Sequence, residues 1–261
     1  MQESATRLQQ DTCDLLFELS NVDRLNILLE IKKSPMRISL VSKKFKSTVP
    51  ETSRNISRLH AAKLINRDSQ GVFHLSPYGE EALSILKGFF FLSNNRPYFE
   101  NHTLSTIPLE FATGIGALEK SQVLNELTTM LHYIENMIRD SEEFFWFSSD
   151  QLLANGVALA AEAVSRGVEI KKLLPRKINI PESETQLVNN PAFERAARAN
   201  KFESRYIDKI DVALFVTEKG SAFCFPNLDG KIDFLGFITT DVTSHRWTKS
   251  LYLHYWNRAK R

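Results

Sequence analysis

The stretch that decides the fold is STVPETSRNISRLHAAKLINRDSQGVFHLSP, residues 47–77. In its first half Ile56, Leu59 and Leu64 recur on one helical face, and Ala61 and Ala62 allow close approach. That rhythm predicts a helix of about four turns over ETSRNISRLHAAKL. With the apolar face turned inward, Thr52, Ser53, Arg54, Asn55, Ser57 and Arg58 are left for the outward, leading turns. The second half predicts two short strands, about residues 65–68 and 72–75, joined by a tip at Ser69-Gln70-Gly71. Ser76 as N-cap and Pro77 as first helical residue then open another helix, YGEEALSILKGFFFL. Alone, the stretch reads equally as a helix that meets nucleic acid or as a solvated basic helix with a turn after it.

The residues upstream narrow the choice. LQQDTCDLLFEL (8–19) predicts an amphipathic helix with Leu8, Cys13 or Leu15, Leu16 and Leu19 on the apolar side. Asn21 caps a second helix, VDRLNILLEIKK, with Leu25, Leu28, Leu29 and the stem of Lys32 inward, and Ser34-Pro35 ends it. RISLVSKKF supplies a short third helix with Ile38, Leu40, Val41 and Phe45 for burial. Three helices, a β-hairpin and a further helix make a winged helix-turn-helix over residues 1–92.

Charge is segregated in the same place. Residues 32–67 contain ten Lys or Arg against one acid, Glu51, whereas the whole chain of 261 residues carries a net charge of only +2. A short basic segment in an otherwise slightly acidic protein is the electrostatic footprint of a local nucleic-acid contact. Helix N-terminal amides and hydroxyls hold phosphates, while Arg and Asn reach base edges in the major groove. The expected DNA-binding residues are therefore Thr52, Ser53, Arg54, Asn55, Ser57 and Arg58 on the reading helix, and Arg67, Ser69 and Gln70 at the hairpin tip. Lys43, Lys44 and Lys46 add charge toward the backbone. The expected partner is double-stranded DNA, met by a homodimer that presents two reading helices to a pseudo-palindrome.

DRLNILLEI, SRNISRLHAAKLI and GVFHLSPYGEEAL together resemble the ArsR-type winged-helix regulators common in archaea, over about residues 8–92. The serine-arginine pair is Ser53-Arg54, the leucine register Ile56 and Leu59, the exit Lys63-Leu64-Ile65, and the closing wing runs from Phe73 to Gly79. Lys63 stands where the family has glycine, so a less sharply ended helix is expected. The metal-sensing cysteine pairs of some ArsR relatives are missing, and no metal is expected.

LSNNRPYFENHTLSTIP opens polar and helix-poor, which predicts an interdomain linker over 93–108 and a second domain over 109–261. There EFFWFSS, a helical DQLLANGVALAAEAVSRG and VEIKKLLP form a strand–helix–strand unit that favours a parallel pair. KFESRYI, DVALFVTE, SAFCFPN and IDFLGFITT read as further strands, the last two joined through Asp229-Gly230, and SHRWTKSLYLHYWNRAKR as a closing helix. The fold class is thus α+β, a winged helix followed by an α/β domain with a mixed sheet. SRGVEIKKLLP, DVALFVTEKGSAFCFPNLDGKIDFLGF and RWTKSLYLHYWNRAKR resemble the effector-type domain of archaeal methanogenesis and filament-formation regulators, the Fil-type family. That resemblance implies a dimeric regulator, its second domain sensing a small-molecule effector or mediating assembly.

The same arrangement is similar to the phospholipase D-like fold of archaeal sugar-sensing regulators of the TrmB family. Phospholipase D chemistry needs a His nucleophile with a Lys two residues on. Here Ile210 and Val212 stand at those places, Thr217 near the acidic one, and no H-x-K occurs in the chain. With no paired carboxylates or nucleophile triad either, no catalytic residues and no cofactor are expected.

Other candidates have a plainer reading beside the chemical one. Gly114-Ile115-Gly116 has Glu119 where a dinucleotide fingerprint needs its third glycine. His132 and Glu135, about one turn apart, share either a metal or nothing more than a helix surface. Trp146, Ser148, Ser149 and Trp247 are the ligand-binding candidates; beside that, Trp146 reads as core filling one sheet face and Trp247 as packing or a dimer seam. Cys13 and Cys224 are redox sensors or small hydrophobes. Apolar runs such as GFFFL and VALFV are core-sized, the N-terminal MQESATRLQQD has no signal-type stretch, and two distant cysteines suit a reducing cytoplasm.

Overall fold

The computed structural model of the chain describes residues 2–151, 153, 155–177 and 190–260. The chain divides into two compact units, Met1–Leu86 and Lys87–Arg261. Among the described residues no helix is long and apolar enough to cross a membrane.

The first unit runs α1 (Gln2–Leu19), α2 (Val22–Lys33), β1 (Met36–Arg37), α3 (Ile38–Phe45), α4 (Val49–Ala61), β2 (Ile65–Arg67), β3 (Val72–Leu75) and the start of α5 (Pro77–Asn94). The strand β1 pairs antiparallel with β3, Met36 against Phe73 and Arg37 against Val72, giving a sheet in the order β1-β3-β2. Two residues carry no alternation to read, so β1 had no sequence signal.

Asn21 caps α2 as its position implies, its side chain accepting from the Arg24 N–H at 3.0 Å. The inward face of α2 is not the expected one. Arg24, Ile27, Leu28 and Ile31 are buried, while Leu25 and Leu29 pack at the rim and Lys32 is exposed. The cause is Arg24, whose guanidinium donates to the carbonyls of Glu18 at 2.9 Å and Phe17 at 2.7 Å and pairs with the Glu18 carboxylate. A buried arginine reads as polar and rotates the apparent apolar face by one position. Leu8, Leu16 and Leu40, expected inward, are likewise exposed; in the two-turn α3 the pair Val41 and Phe45 defines the packed side, with Leu40 off it.

Helix α4 begins earlier and ends sooner than its apolar rhythm predicts. Thr48 and Glu51 form a capping box, Thr48 Oγ1 accepting from the Glu51 N–H and Glu51 Oε2 from the Thr48 N–H at 3.1 Å. Pro50 in the first turn lacks the N–H that would have had no partner there. At the other end Lys63 adopts φ 61°, its N–H bonding His60 O and the Leu64 N–H bonding Leu59 O, both at 3.0 Å. The expected loose ending is therefore corrected. The left-handed turn costs about 1–2 kcal/mol for a side chain, and burial of Leu64 and Ile65 behind it offsets that cost.

In the second unit a seven-stranded sheet has the order β4-β10-β9-β8-β5-β6-β7. Its strands are β4 (Gln122–Leu124), β5 (Phe144–Ser148), β6 (Glu169–Pro175), β7 (Phe202–Ile207), β8 (Ala213–Thr217), β9 (Ser221–Cys224) and β10 (Gly236–Thr239). The helices are α6 (Arg96–Phe99), α7 (Leu109–Thr113), α8 (Leu127–Asp140), α9 (Gly156–Ser165), α10 (Pro191–Arg198) and α11 (Val242–Arg258), with a 3-10 turn over Ile115–Leu118. The strands β5, β6 and β7 are parallel and the remaining pairs antiparallel, so the expected strand–helix–strand unit and mixed sheet are both present.

Alternation on the sheet separates two core layers. Phe145, Ile170, Phe215 and Cys224 pack under α8, α9 and α10. Trp146, Leu214, Phe223 and Phe237 pack against α11 and the segment before β4.

That segment is where the linker was expected, and it is packed. Tyr98 and Ile107 are 5% and 6% exposed. The Tyr98 hydroxyl donates to Leu235 O at 3.1 Å and accepts from the Phe225 N–H at 3.0 Å. The polar letters of 93–108 hide a few anchoring aromatics, and the division between the units falls inside α5. Gly114 and Gly116 have a packing explanation: a Cβ on Gly116 would stand 2.8 Å from the Lys87 Cβ and 2.9 Å from the Gly88 nitrogen.

Candidate nucleic-acid interface

The outer side of α4 follows from its inner side. Thr52, Ile56 and Leu59, at helical spacing, are buried, which turns Arg54 and Ser57 outward and leaves Ser53 and Asn55 half-buried on the flanks. Thr52 is thereby corrected as a DNA-facing residue. It is 1% exposed, and its hydroxyl donates to Thr48 O at 3.0 Å and meets Ser47 Oγ at 2.7 Å. It locks the first turn of α4 to the loop before it.

The ten cations of residues 32–67 divide by partner. Lys32 bonds Glu80, Lys33 and Lys44 share Glu30, and Arg58 bonds Glu18. Arg58 also lies 5.0 Å from the centroid of the Phe17 ring. Its hydrogen bond holds the Glu18 carboxyl below the usual range and raises Arg58 itself; the Lys33 and Lys44 ammonium groups likewise lower Glu30. Arg58 and Lys44 therefore stand in ion pairs rather than free to contact a duplex. A sequence cannot reveal this, because Glu18 lies forty residues from Arg58.

Arg37, Lys43, Lys46, Arg54, Lys63 and Arg67 are exposed and, among the described residues, in no ion pair. Hydrogen bonds from Thr48 and, more weakly, the charge of Arg54 hold the Glu51 carboxyl below its usual range. Arg37 and Lys63 were counted in the basic segment but not assigned as contacts. The register of β1 sets Arg37 opposite Val72 of the hairpin, and Lys63 occupies the left-handed exit of α4.

The hairpin tip is organised by a residue the sequence reading passed over. Asp68 Oδ1 accepts from the N–H groups of Gln70 at 2.9 Å and Val72 at 2.8 Å, and Oδ2 stands 3.0 Å from His74 Nε2. Those bonds, His74 first, hold the Asp68 carboxyl below its ordinary range. Gly71 takes φ 80°, which a side chain resists. Arg67 lies 5.8 Å from the Phe73 ring centroid with its guanidinium beside Gly71, while Ser69 and Gln70 are exposed at the turn. The tip therefore carries one acid, bonded to His74 and the turn amides, and beside it one arginine stacked on Phe73.

The ligand candidates of the second unit are not brought together. Trp146 donates to Glu169 Oε1 at 2.8 Å and lies against Tyr252. Trp247 is buried, donating to Phe111 O at 3.3 Å. Ser148 and Ser149 are each 1% exposed, with Ser149 Oγ donating to Gln151 O at 2.7 Å. They are core and turn residues. His132 bonds Asn136 and Glu135 faces Arg139, and among the described residues no three metal-ligating side chains gather. Cys224 is fully buried, its thiol pushed up by burial, and Cys13 is exposed. Ile210 and Val212 are buried apolar side chains.

No protein family matches the chain, and no curated protein does. Among solved structures it is similar to TrmBL2, an archaeal chromatin protein described as showing a novel mode of DNA binding. That match has 14% identity over 92% of this chain and 94% of that one, with a TM-score of 0.42. NucT from Helicobacter pylori matches at 12% identity over 54% of this chain and 96% of its own, TM-score 0.39. Nuc, a phospholipase D family member from Salmonella typhimurium, matches at 10% over 49% and 88%, TM-score 0.36. At these identities and TM-scores the likenesses assign neither a family nor an activity.

Proposed function

We propose that the protein is a sequence-selective double-stranded-DNA-binding transcription regulator whose first unit is a winged helix-turn-helix. The observation that carries this reading is the set of six exposed cations around α4 and the hairpin that stand in no ion pair among the described residues. Arg54, flanked by Ser53, Asn55 and Ser57, leads α4 into the major groove. Lys43, Lys46, Arg37 and Lys63 hold phosphates, and the β2–β3 hairpin carries Arg67, Ser69 and Gln70 to the flanking backbone. Dimerisation is supported by exposed apolar side chains on each unit taken by itself, Tyr78 and Ile85 in the first and Phe89 and Leu92 in the second. The second unit senses an effector or mediates assembly, and the regulated genes belong to methanogenesis or related metabolism, as the Fil-type resemblance implies.

The test is selection of bound duplexes from a random pool, followed by titration of the recovered site at several salt concentrations. If all six cations neutralise phosphates, log K falls against log salt with a slope of about −5. A flat salt dependence with no protected footprint would sink the reading. It would favour a second one, a protein-interaction module, for which exposed Leu40 and Val49 beside the head of α4 offer apolar contact.

A further inference from the structure

The second unit contains a cavity of about 280 Å³ between one face of the sheet and helices α9 and α10. Phe145 and Phe147 from β5, Phe215 from β8, Ile170 from β6, Phe202 from β7 and Phe193 from α10 form its walls. The rings brace one another: the centroids of Phe193 and Phe202 are 4.7 Å apart, and those of Phe145 and Phe147 5.4 Å.

One cation points into this apolar frame. Alternation along β6 puts Ile170, Lys172 and Leu174 on the cavity side, and Lys172 is the one charged side chain among the described lining residues. Its Nζ lies 4.9 Å from the Phe202 ring centroid, and among the described residues no carboxylate comes within 4.0 Å of it. The contrast with its neighbour is direct. Lys171, on the other face of the same strand, pairs with Glu169 at 2.9 Å. Burial pushes the Lys172 ammonium below the usual lysine range, the expected response of a cation among apolar groups without a counter-charge. Gln151 and Tyr206 supply the remaining polar side chains of the lining.

We infer that this cavity is a binding site for a small apolar monocarboxylate, with its tail among the phenyl rings and its carboxylate on Lys172 Nζ. The volume holds about nine groups of water size at ~30 Å³ each, the size of a medium-chain fatty acid or an arylalkanoate. A neutral molecule of that size leaves the ammonium unpaired, and a phosphate dianion finds no second cation among the described lining residues. Binding stands on the second unit alone; only its coupling to gene control rests on the DNA-binding reading above.

The experiment uses the full chain and three probes of one tail length, octanoate, 1-octanol and octylamine, in calorimetric titration at neutral pH. Octanoate is expected to saturate one site per chain and to bind about tenfold or more tightly than 1-octanol, with octylamine weakest. Lys172→Met removes the preference for octanoate over 1-octanol, and Ala160→Phe, which fills the cavity from α9, removes binding of both. Circular dichroism of each variant checks that the fold persists, and the comparison of probes on the unaltered chain needs no variant. Equal affinity for octanoate and 1-octanol, no saturable octanoate binding, or undiminished octanoate binding in Ala160→Phe would each overturn the inference. DNA affinity is measured separately, so a chain that binds octanoate without binding DNA sinks the functional reading and leaves this one standing.

Discussion

Arg54, Lys43 and Lys46 in the first unit and Lys172 in the second are all cations in no ion pair among the described residues, yet they stand in different media. The first three project into water, where salt screens them within about 8–10 Å and each works by adding to a shared field. Lys172 is half-buried among phenyl rings, where solvent screens it less and a single partner weighs more. On the readings proposed above, the exposed cations specify a polyanion through number and placement, whereas half-buried Lys172 specifies a small acid because no carboxylate among the described residues pairs with it.

The largest expected effect tests the exposed side. Replacing Lys43, Lys46 and Arg54 together with Ala lowers affinity for the selected duplex by roughly a hundredfold at low salt and flattens the salt slope by about three. Arg54→Ala alone costs about 1–3 kcal/mol on that duplex and less on random DNA if Arg54 reads a base. Equal losses on both would reduce Arg54 to a phosphate contact and blur its distinction from Lys43.

The buried side answers to pH instead of salt. Burial lowers Lys172 in the folded chain, so between that value and the unfolded one the unfolded chain binds more protons. Stability consequently rises with pH across that window. Lys172→Met removes the rise, giving a Tm gain of roughly 2–4 °C at acidic to neutral pH that disappears as pH passes the ordinary lysine range. Thermal melts at a series of pH values read this, and a gain that changed with salt instead would place Lys172 in solvent.

Smaller effects probe what presents the exposed cations. Thr48→Ala breaks the capping box of α4 and costs about 1 kcal/mol, measured as a lower urea midpoint, with weaker DNA binding as the leading turn frays. Lys63→Gly relieves a left-handed turn that costs about 1–2 kcal/mol but adds about 0.4–1 kcal/mol of unfolded-chain entropy, a net stabilisation of roughly 0.5–1 kcal/mol, while the salt slope falls by about one. Loss of stability on that change would mean the lysine stem contributes packing that outweighs the backbone cost.

Some of this was legible in the chain before folding. The capped helix of Asn21, the rhythm of Ile56 and Leu59, the Ser69-Gln70-Gly71 tip and the parallel β5–β6 unit are all local signals, set by a few neighbouring residues. Partner choice was not legible. Arg58 and Lys44 look identical in sequence to Arg54 and Lys43, and only Glu18 and Glu30, delivered by α1 and α2, separate them. The polar segment 93–108 reads as a linker because hydropathy averages over Tyr98 and Ile107, whereas burial is decided one side chain at a time. Trp146, the aromatic that looked most like a ligand wall, faces α11, and the aromatics on either side of it in sequence, Phe145 and Phe147, line the cavity. A pleated strand alternates, and nothing in FFWFS says which parity meets the empty side.

By itself the sequence determined the longer elements (β1 and β4 aside), the capping and turn chemistry, and the gathering of positive charge into 32–67, because each depends on residues adjacent in the chain. Tertiary structure alone decided which six of those ten cations stand in no ion pair among the described residues, that Tyr98 and Ile107 of 93–108 belong to a core, and that Lys172 faces phenyl rings while Lys171 finds Glu169. The physical reason is the same in each case. The free energy of a charge or an aromatic ring depends on the medium around it, and that medium is assembled from residues far away in sequence.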